Sequence, residues 1–326
     1  MKRFKNILCV VETVEACKPA LERAIMLAET NRADLTVVDV VERLAAGSGT
    51  TEMGFTYADL QSSLVHASCQ ALEALVAPYR SRVPIQTKVL QGTPFLEIVR
   101  EVLRNQRDLV IKIPETQDWL DRILGCADMN LLRNCPCPVL IVKPAPLQSY
   151  RRILAAVDLD RAYPPAELAS RHALNLQVFE MASSLALSDF SELHIVHAWH
   201  AIGESEMRGG FMHRPEEEIL AYVEQVRQQQ SANLDAFMCE VASNLGQETM
   251  DYLKPQTHLV KGWARKEIPA LTKQIEADLI VMGSVARTGV PGFIVGNTAE
   301  RILNQIDCSV LAIKPPGFAT PVTVED

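Results

Sequence analysis

The chain has 326 residues, of which 48% are hydrophobic, 22% are charged and 6% are aromatic, so it is long enough for two globular domains with buried cores. Its formal net charge of −8 argues against a surface that binds nucleic acid. No apolar run approaches the ~20 residues that a membrane span requires, and the apolar stretch near the N-terminus ends at Glu12, too early for a signal peptide. We therefore expect a cytoplasmic protein without a membrane span.

In the first half, short apolar runs alternate with helical patterns. An apolar run covers residues 7–11, and a long segment, residues 41–84, contains a helix-like stretch at 58–77. The half ends in the apolar run 139–142. This alternation is typical of strands and helices that follow one another along the chain.

The second half has the same organisation. Predicted strands cover residues 153–157, 193–198, 258–260, 279–282 and 310–313, and predicted helices cover 168–187, 216–245, 267–275 and 298–306. The strands are rich in Val, Ile and Leu, as expected of strands that are buried on both faces. The pattern predicts a parallel sheet with right-handed crossovers and five strands in each half.

Four blocks of sequence recur in the same order in the two halves. They are KNILCVVET (5–13) with RRILAAVDL (151–159), VLQGTPFLEIV (89–99) with LVKGWARKEIP (259–269), RDLVIKIP (107–114) with ADLIVMGS (277–284), and CPVLIVKP (137–144) with CSVLAIKP (308–315). An ordered internal repeat indicates two copies of one structural unit. We place the domains at 1–147 and 148–326, on either side of a short proline-containing linker.

A glycine-rich stretch follows the fourth predicted strand of the second half. Four of the fifteen glycines lie between Gly283 and Gly296, just before a predicted helix that Asn297 and Thr298 begin. One interpretation is a flexible loop. The other is a phosphate-binding cradle, in which Gly283 lets the backbone approach a phosphate, the N–H groups of the helix start bind the anion, and Arg287 adds positive charge.

Asp158 ends the first strand of the second half, where ligands bind in open α/β sheets. Its carboxylate can accept hydrogen bonds from a ribose or a base. It can equally be a turn or helix-capping residue, and the spacing alone does not choose between them. Asp158 and Asp160 together suggest a magnesium site that accompanies a nucleotide, although turn roles are favoured.

With these motifs in place, nearly the whole chain resembles a tandem-type universal stress protein, similar to the bacterial E group of the UspA family. The ATP-binding pattern of that family is glycine, two residues, glycine, nine residues, glycine, then Ser, Thr or Asn. Gly283, Ala286 and Gly296-Asn297 stand at those positions, with Ala286 in place of the second glycine.

The resemblance implies a fold and an ATP site. The fold is two Rossmann-like domains of the adenine nucleotide alpha-hydrolase type, each a five-stranded parallel sheet of order 3-2-1-4-5 flanked by helices. It implies that Asp158 and Ala156 line the adenosine pocket and that the backbone of Ala198 reads the adenine edge. The phosphate-binding residues that it implies are Met282, Gly283, Gly296, Asn297 and Thr298. It also implies that the last strands of the two halves pair, so that the chain forms an internal pseudo-dimer; homodimerisation of whole chains stays open.

The first half departs from the family pattern. Glu12 stands in place of the aspartate, Asp39 in place of His197, and Ile113 in place of the first glycine. Three aspartates, Asp118, Asp121 and Asp128, make the corresponding phosphate region acidic and therefore repulsive to a triphosphate. We predict that this half does not bind ATP in the usual way and is either structural or holds a less charged molecule.

Three histidines, His194, His197 and His200, suggest a metal site. On a strand, neighbours in this set point to opposite faces, and His194 and His200 lie about 20 Å apart at ~3.3 Å per residue, so the three cannot share one ion. No hydrolase or metalloprotease motif is present and no general base is positioned, so at most weak ATP hydrolysis is expected.

The sequence therefore predicts a cytoplasmic, ATP-binding stress-response protein that acts through nucleotide-dependent conformation or through partner proteins of unknown identity. The cofactor is ATP, alone or with magnesium. Two other hypotheses stay open: a slow ATPase or adenylyl-transferring enzyme, and a scaffold or carrier that holds an apolar or lipid-like ligand in the first half.

Overall fold

A computed structural model describes residues 4–12, 16–44, 56–115, 126–144, 149–209, 214–284 and 297–324. Strands and helices alternate through both halves. The first half contains β1 (Asn6–Val10), α1 (Lys18–Asn31), β2 (Asp34–Val41), α2 (Tyr57–Val76), a 3-10 turn (Ala77–Tyr79), β3 (Ile85–Gln91), α3 (Pro94–Asn105), β4 (Leu109–Lys112), α4 (Cys126–Asn134) and β5 (Val139–Ile141). The second half contains β6 (Arg152–Val157), α5 (Pro165–Asp189), β7 (Glu192–Trp199), α6 (Glu204–Gly209), α7 (Glu216–Leu245), α8 (Gln247–Leu253), β8 (Gln256–Lys261), α9 (Ala264–Gln274), β9 (Leu279–Gly283), α10 (Asn297–Leu303) and β10 (Ser309–Ile313).

The helix ends follow local sequence signals. Thr56 caps α2: its hydroxyl accepts the N–H of Asp59 at 3.1 Å, and the Asp59 carboxylate accepts the N–H of Thr56 at 3.1 Å. Prolines stand in the first turn of α1, α3 and α5, where a missing N–H costs nothing. Four helices end in a left-handed residue, namely Arg32, Gln106, Phe190 and Lys254.

Ten strands form one sheet in the order β3-β2-β1-β4-β5-β10-β9-β6-β7-β8. Within each half the strands are parallel and have the predicted order 3-2-1-4-5, which confirms the fold class. One apolar core lies on each face of the sheet: α1 and α5 cover one face, and α3, α4, α9 and α10 cover the other. We call these the α5 face and the α10 face.

The last strands of the two halves pair, as the resemblance implied. β5 and β10 are antiparallel, with Val139 opposite Ala312, Leu140 opposite Leu311 and Ile141 opposite Val310. Because all other neighbours are parallel, the strands of the two halves run in opposite directions. The carboxyl ends of β1 to β5 therefore lie at one edge of the sheet, and those of β6 to β10 lie at the other.

Polar contacts reinforce this junction between the halves. Arg23 of α1 forms a buried ion pair with Asp189 of α5 at 2.6 Å, and the guanidinium lies 4.2 Å from the ring centre of Tyr150. On the other face, the buried ammonium of Lys314 donates to the carbonyl of Leu132 in the first half. The chain thus places charged side chains inside the junction, where each has a hydrogen-bonding partner.

Lys314 differs from its repeat counterpart. Lys143 forms an ion pair with Asp307 at 2.8 Å, whereas Lys314 faces two uncharged acceptors, the Leu132 carbonyl and the hydroxyl of Ser284 at 2.8 Å. Among the described residues, no carboxylate forms an ion pair with Lys314. Burial therefore lowers the pKa of Lys314 to about 8, and only the nearby thiol of Cys135 opposes this shift.

Because the buried ammonium of Lys314 has hydrogen bonds but no ion pair with a described carboxylate, we predict that the stability of the protein depends on pH. Between pH 8 and the ordinary pKa of 10.5 the unfolded chain binds the Lys314 proton more tightly than the folded chain does, so the free energy of unfolding rises with pH in this range. Compared with Lys314→Met, the wild type gains about 3 kcal/mol between pH 7.5 and pH 11, at about 1.4 kcal/mol per pKa unit. Urea unfolding of both proteins across this range measures the difference, and a constant difference contradicts the prediction.

Candidate functional site

Three predicted site residues lie on one face of the sheet at the carboxyl ends of neighbouring strands. Ala156 of β6 is opposite Met282 of β9 and Val196 of β7, and Ala198 lies two residues beyond Val196, hence on the same face. Ala156 and Ala198 are partly buried and Met282 is 5% exposed. All three contact the core of the α10 face. We call these three residues the alanine face.

Gly283 points to the opposite face. A Cβ at this position lies 2.6 Å from Cδ2 of Leu174 in α5, which is too close for an ordinary contact. The glycine thus allows α5 to pack tightly against the end of β9. This is a structural reason for the glycine, and the predicted approach of a phosphate to its backbone stays a prediction.

The carboxylate of Asp158 is directed towards the loop that follows β6 and towards α5. Its Oδ1 accepts the N–H of Asp160 at 3.3 Å, and its Oδ2 accepts the hydroxyl of Tyr163 at 2.9 Å and the guanidinium of Arg171 at 3.0 Å. Burial, then the charge of Asp158, raises the pKa of Tyr163, so the phenol remains a donor. Asp160 likewise accepts the N–H of Ala162 at 3.0 Å. Both aspartates have turn roles here.

The three histidines lie in three different environments. His197 is buried beneath the Asp158 loop, where Nδ1 accepts the N–H of Leu159 at 3.4 Å and Nε2 contacts Oε1 of Gln230 at 2.9 Å. These partners require the tautomer with a proton on Nε2. Nδ1 of His194 lies 3.0 Å from Nε2 of His258 on the neighbouring strand, and burial lowers the pKa of both rings. His200 packs against Trp263 in a tilted arrangement. In the described ranges, no three potential ligands come together to hold a metal ion.

Sequence reasoning missed a cavity of about 340 Å³ on the α5 face, between α5 and α7. Its lining includes Asp158, Arg171, Asn175, Asn233 and Phe237. No sequence signal could have found it, because its walls come from two helical stretches, 168–175 and 233–240, that lie more than fifty positions apart in the chain. Asp158 therefore borders a cavity on the α5 face, opposite to the face that carries the three residues of the alanine face.

The remaining predicted residues belong to the glycine-rich stretch. Ala286, Arg287 and Gly296 lie outside the described residues, as do Asp118 and Asp121 of the first half. Asn297 and Thr298 are exposed and form the first turn of α10. The helix therefore begins next to Gly296, one residue earlier than the predicted start.

The first half fills the equivalent of the alanine face. The repeat alignment places Val10, Val40 and Lys112 where the second half has Ala156, Ala198 and Met282. Val10 is fully buried, and Lys112 is 1% exposed. Valines thus stand where the second half has alanines, and an ammonium group stands where it has the thioether of Met282.

Lys112 is held by two carboxylates. Its ammonium donates to Oε1 of Glu12 at 2.6 Å and to the fully buried carboxylate of Asp128, whose other oxygen accepts the N–H of Glu115 at 2.8 Å. Burial alone lowers the pKa of Lys112, but attraction to Asp128 and Glu12 outweighs it and leaves the pKa raised. Lys112 thus pairs with Asp128, whereas Asp118 and Asp121 lie outside the described residues, so the expected repulsion of a triphosphate by this region stays a prediction.

Comparison with known proteins agrees with the repeat. A model of the universal stress protein family matches residues 3–143 and 149–314. The chain is 28% identical over 335 residues to universal stress protein E of Escherichia coli K12, covering 100% of this chain and 99% of that protein. A functionally unknown protein from Pseudomonas aeruginosa PAO1 has a TM-score of 0.64 at 25% identity, covering 96% of this chain and 93% of its own. A universal stress protein from Archaeoglobus fulgidus is similar in fold, with a TM-score of 0.62 at 16% identity, covering 96% of this chain and 98% of its own.

The buried ion pairs of Lys112 make a prediction about stability. Lys112→Met leaves Asp128 buried without its cation, and removal of one partner of a buried pair typically costs about 3–5 kcal/mol. The double variant Lys112→Met/Asp128→Asn removes the uncompensated charge and recovers part of this loss. Urea unfolding at pH 7 measures both. Equal stability of wild type and Lys112→Met contradicts the prediction.

Proposed function

The chain belongs to the universal stress protein family, and we propose that its second half binds one ATP molecule, alone or with magnesium. In this proposal the protein is cytoplasmic and acts in a stress response. Bound ATP favours one conformation or one partner-binding state, and it is a ligand rather than a consumed substrate. The first half stabilises the second and does not bind ATP.

The alanine face is the observation that carries the proposal. It lies at the carboxyl ends of β6, β7 and β9, where open α/β sheets bind ligands, and its two alanines leave room for a flat base. The β6–β9 neighbours also form the point where strand order reverses in this half. The first half has valines and a paired lysine at these positions, which supports a single site per chain.

The phosphates are assigned to the glycine-rich stretch on the family pattern. Gly283 and Gly296 flank this stretch, and the first turn of α10 offers the N–H groups of Asn297 and Thr298 to an anion. Arg287 supplies the positive charge. Since Asp158 and Asp160 already accept hydrogen bonds from their own loop, magnesium is expected to arrive bound to the phosphates rather than to these carboxylates.

The contacts of the candidate bases support binding rather than hydrolysis. A general base needs a free acceptor directed at the attacking water. Asp158 directs one oxygen to Arg171 and Tyr163, and His197 uses both ring nitrogens in contacts with Leu159 and Gln230. The second oxygen of Asp158 accepts the N–H of Asp160, so each of these acceptors already has a partner within the protein.

A matched pair of substitutions tests the site. Ala198→Phe fills the alanine face and is expected to abolish ATP binding. Val40→Phe adds a similar ring at the repeat-equivalent position of the first half and is expected to leave one site per chain. Isothermal titration of Mg-ATP into the wild type and both variants measures stoichiometry and affinity, and circular dichroism confirms folding.

Any one of three results contradicts the proposal: no saturable binding of Mg-ATP by the wild type, two ATP sites per chain, or an unchanged ATP affinity in the folded Ala198→Phe variant. Loss of binding in Val40→Phe alone moves the site to the first half. Gly296→Glu adds bulk and negative charge to the glycine-rich stretch, and retained affinity in this variant removes that stretch from the phosphate site.

A further inference from the structure

An exposed tryptophan stands at the carboxyl edge of the second half. Trp263 is the second residue after β8, following Gly262, and half of its surface is accessible to solvent. An indole that remains exposed leaves a large apolar area in water, which a flat ligand can cover. The repeat counterpart in the first half is Thr93, so the aromatic ring occurs only in the half that has the alanine face.

The indole ring is held by its neighbours. The ring of His200 lies 4.1 Å from it, centre to centre, at an interplanar angle of 32°. The guanidinium of Arg265 lies 5.0 Å from the ring centre. Gly262 has φ of +143°, and a Cβ there would overlap Glu267, so the turn that presents Trp263 depends on this glycine. The ring is therefore positioned by packing before any ligand binds.

The register places this aromatic pair next to the alanine face. Ala198 is opposite Val260, and adjacent strands lie ~4.8 Å apart. His200 is the first residue after β7, and Trp263 is the second residue after β8. Both side chains therefore lie just beyond the carboxyl ends of these two neighbouring strands. His200 contacts Trp263, the residue just before α9, and α9 packs on the same core as Ala198.

We propose that Trp263, supported by His200, forms a stacking platform for the purine base of the bound nucleotide. This inference rests on the proposed ATP site and adds to it a residue that sets the preference for a base. The flat π-surface of a purine is the chemistry that matches an exposed indole, whereas phosphates are handled by the glycine-rich stretch at β9. The base lies between the alanine face and the aromatic pair, and Ala198 contacts its edge.

Among the described residues, the two other largely exposed aromatic side chains of this half do not share the placement. Phe190 follows α5 and precedes β7, and Tyr252 lies in α8 just before β8. Both lie at the amino ends of the strands, the edge opposite to that of the alanine face. Tyr252 is 58% exposed, close to the value for Trp263, and so provides a matched control.

Two measurements test the platform. Isothermal titration of Mg-ATP compares wild type, Trp263→Ala, Trp263→Phe and Tyr252→Ala. Base stacking on an aromatic residue is worth ~1–3 kcal/mol by alanine substitution, so Trp263→Ala is expected to weaken ATP binding by about tenfold or more. Trp263→Phe keeps a ring and is expected to stay within about threefold of the wild type. Tyr252→Ala is expected to bind as the wild type does.

Acrylamide quenching of tryptophan fluorescence is the second measurement. The difference between wild type and Trp263→Phe isolates the signal of Trp263 from the other two tryptophans. ATP is expected to shield this signal, while inorganic tripolyphosphate, which carries no base, leaves it quenchable. This readout uses folded proteins and remains decisive if Trp263→Ala does not fold.

The outcomes separate the two proposals. If the wild type binds ATP but Trp263 stays equally quenchable, or if Trp263→Ala retains full affinity, the platform is wrong and the ATP site stands. If the wild type binds no ATP, the proposed function fails and the platform fails with it. Shielding by tripolyphosphate equal to that by ATP also overturns the platform, since it shows that the base is not what covers the ring.

Discussion

The antiparallel pairing of β5 with β10 determines the arrangement of everything else. Each half alone ends in a short buried strand, and an unpaired edge of this kind invites aggregation. Their pairing joins ten strands into one sheet and extends both cores across it. It also sends the carboxyl ends of the two sets of strands to opposite edges. The two potential ligand sites therefore do not face each other, and one can change without obstructing the other.

The two halves fill the same position at the strand ends in different ways. In the second half, this position has the small side chains of Ala156 and Ala198 beside the buried side chain of Met282. In the first half, Lys112 stands at the position of Met282 and is buried. A buried charge is tolerated only when it is paired and hydrogen-bonded. Glu12 and Asp128 supply that pairing. A lysine at this place thus requires carboxylates at two others, and the three residues form one ion-paired unit.

Much of the fold could be predicted from the sequence. A parallel strand that is buried on both faces consists mainly of Val, Ile and Leu, and such an apolar run is visible in the sequence itself. The run 279–282 and the helix 216–245 match β9 and α7 to within a residue. β8 was predicted too short, since an edge strand exposes its polar ends Gln256 and Lys261. Pairing between side chains could not be predicted in this way. Lys112 and Glu12 lie 100 positions apart, and only the register of β1 against β4 brings them together.

The same reasoning explains why the candidate site was found only in part. The glycine pattern and the strand ends are local signals that pointed to Gly283 and Asp158, whereas Ala156, Ala198 and Met282 were implied by the family resemblance. The orientation of Asp158 depends on Arg171 in the following helix, which local sequence does not reveal. Lys314 is a further case: it donates to Ser284, directly after Gly283, and to a carbonyl of the first half. The start of the glycine-rich stretch therefore contacts both halves through one buried ammonium, which links the junction to the proposed phosphate site.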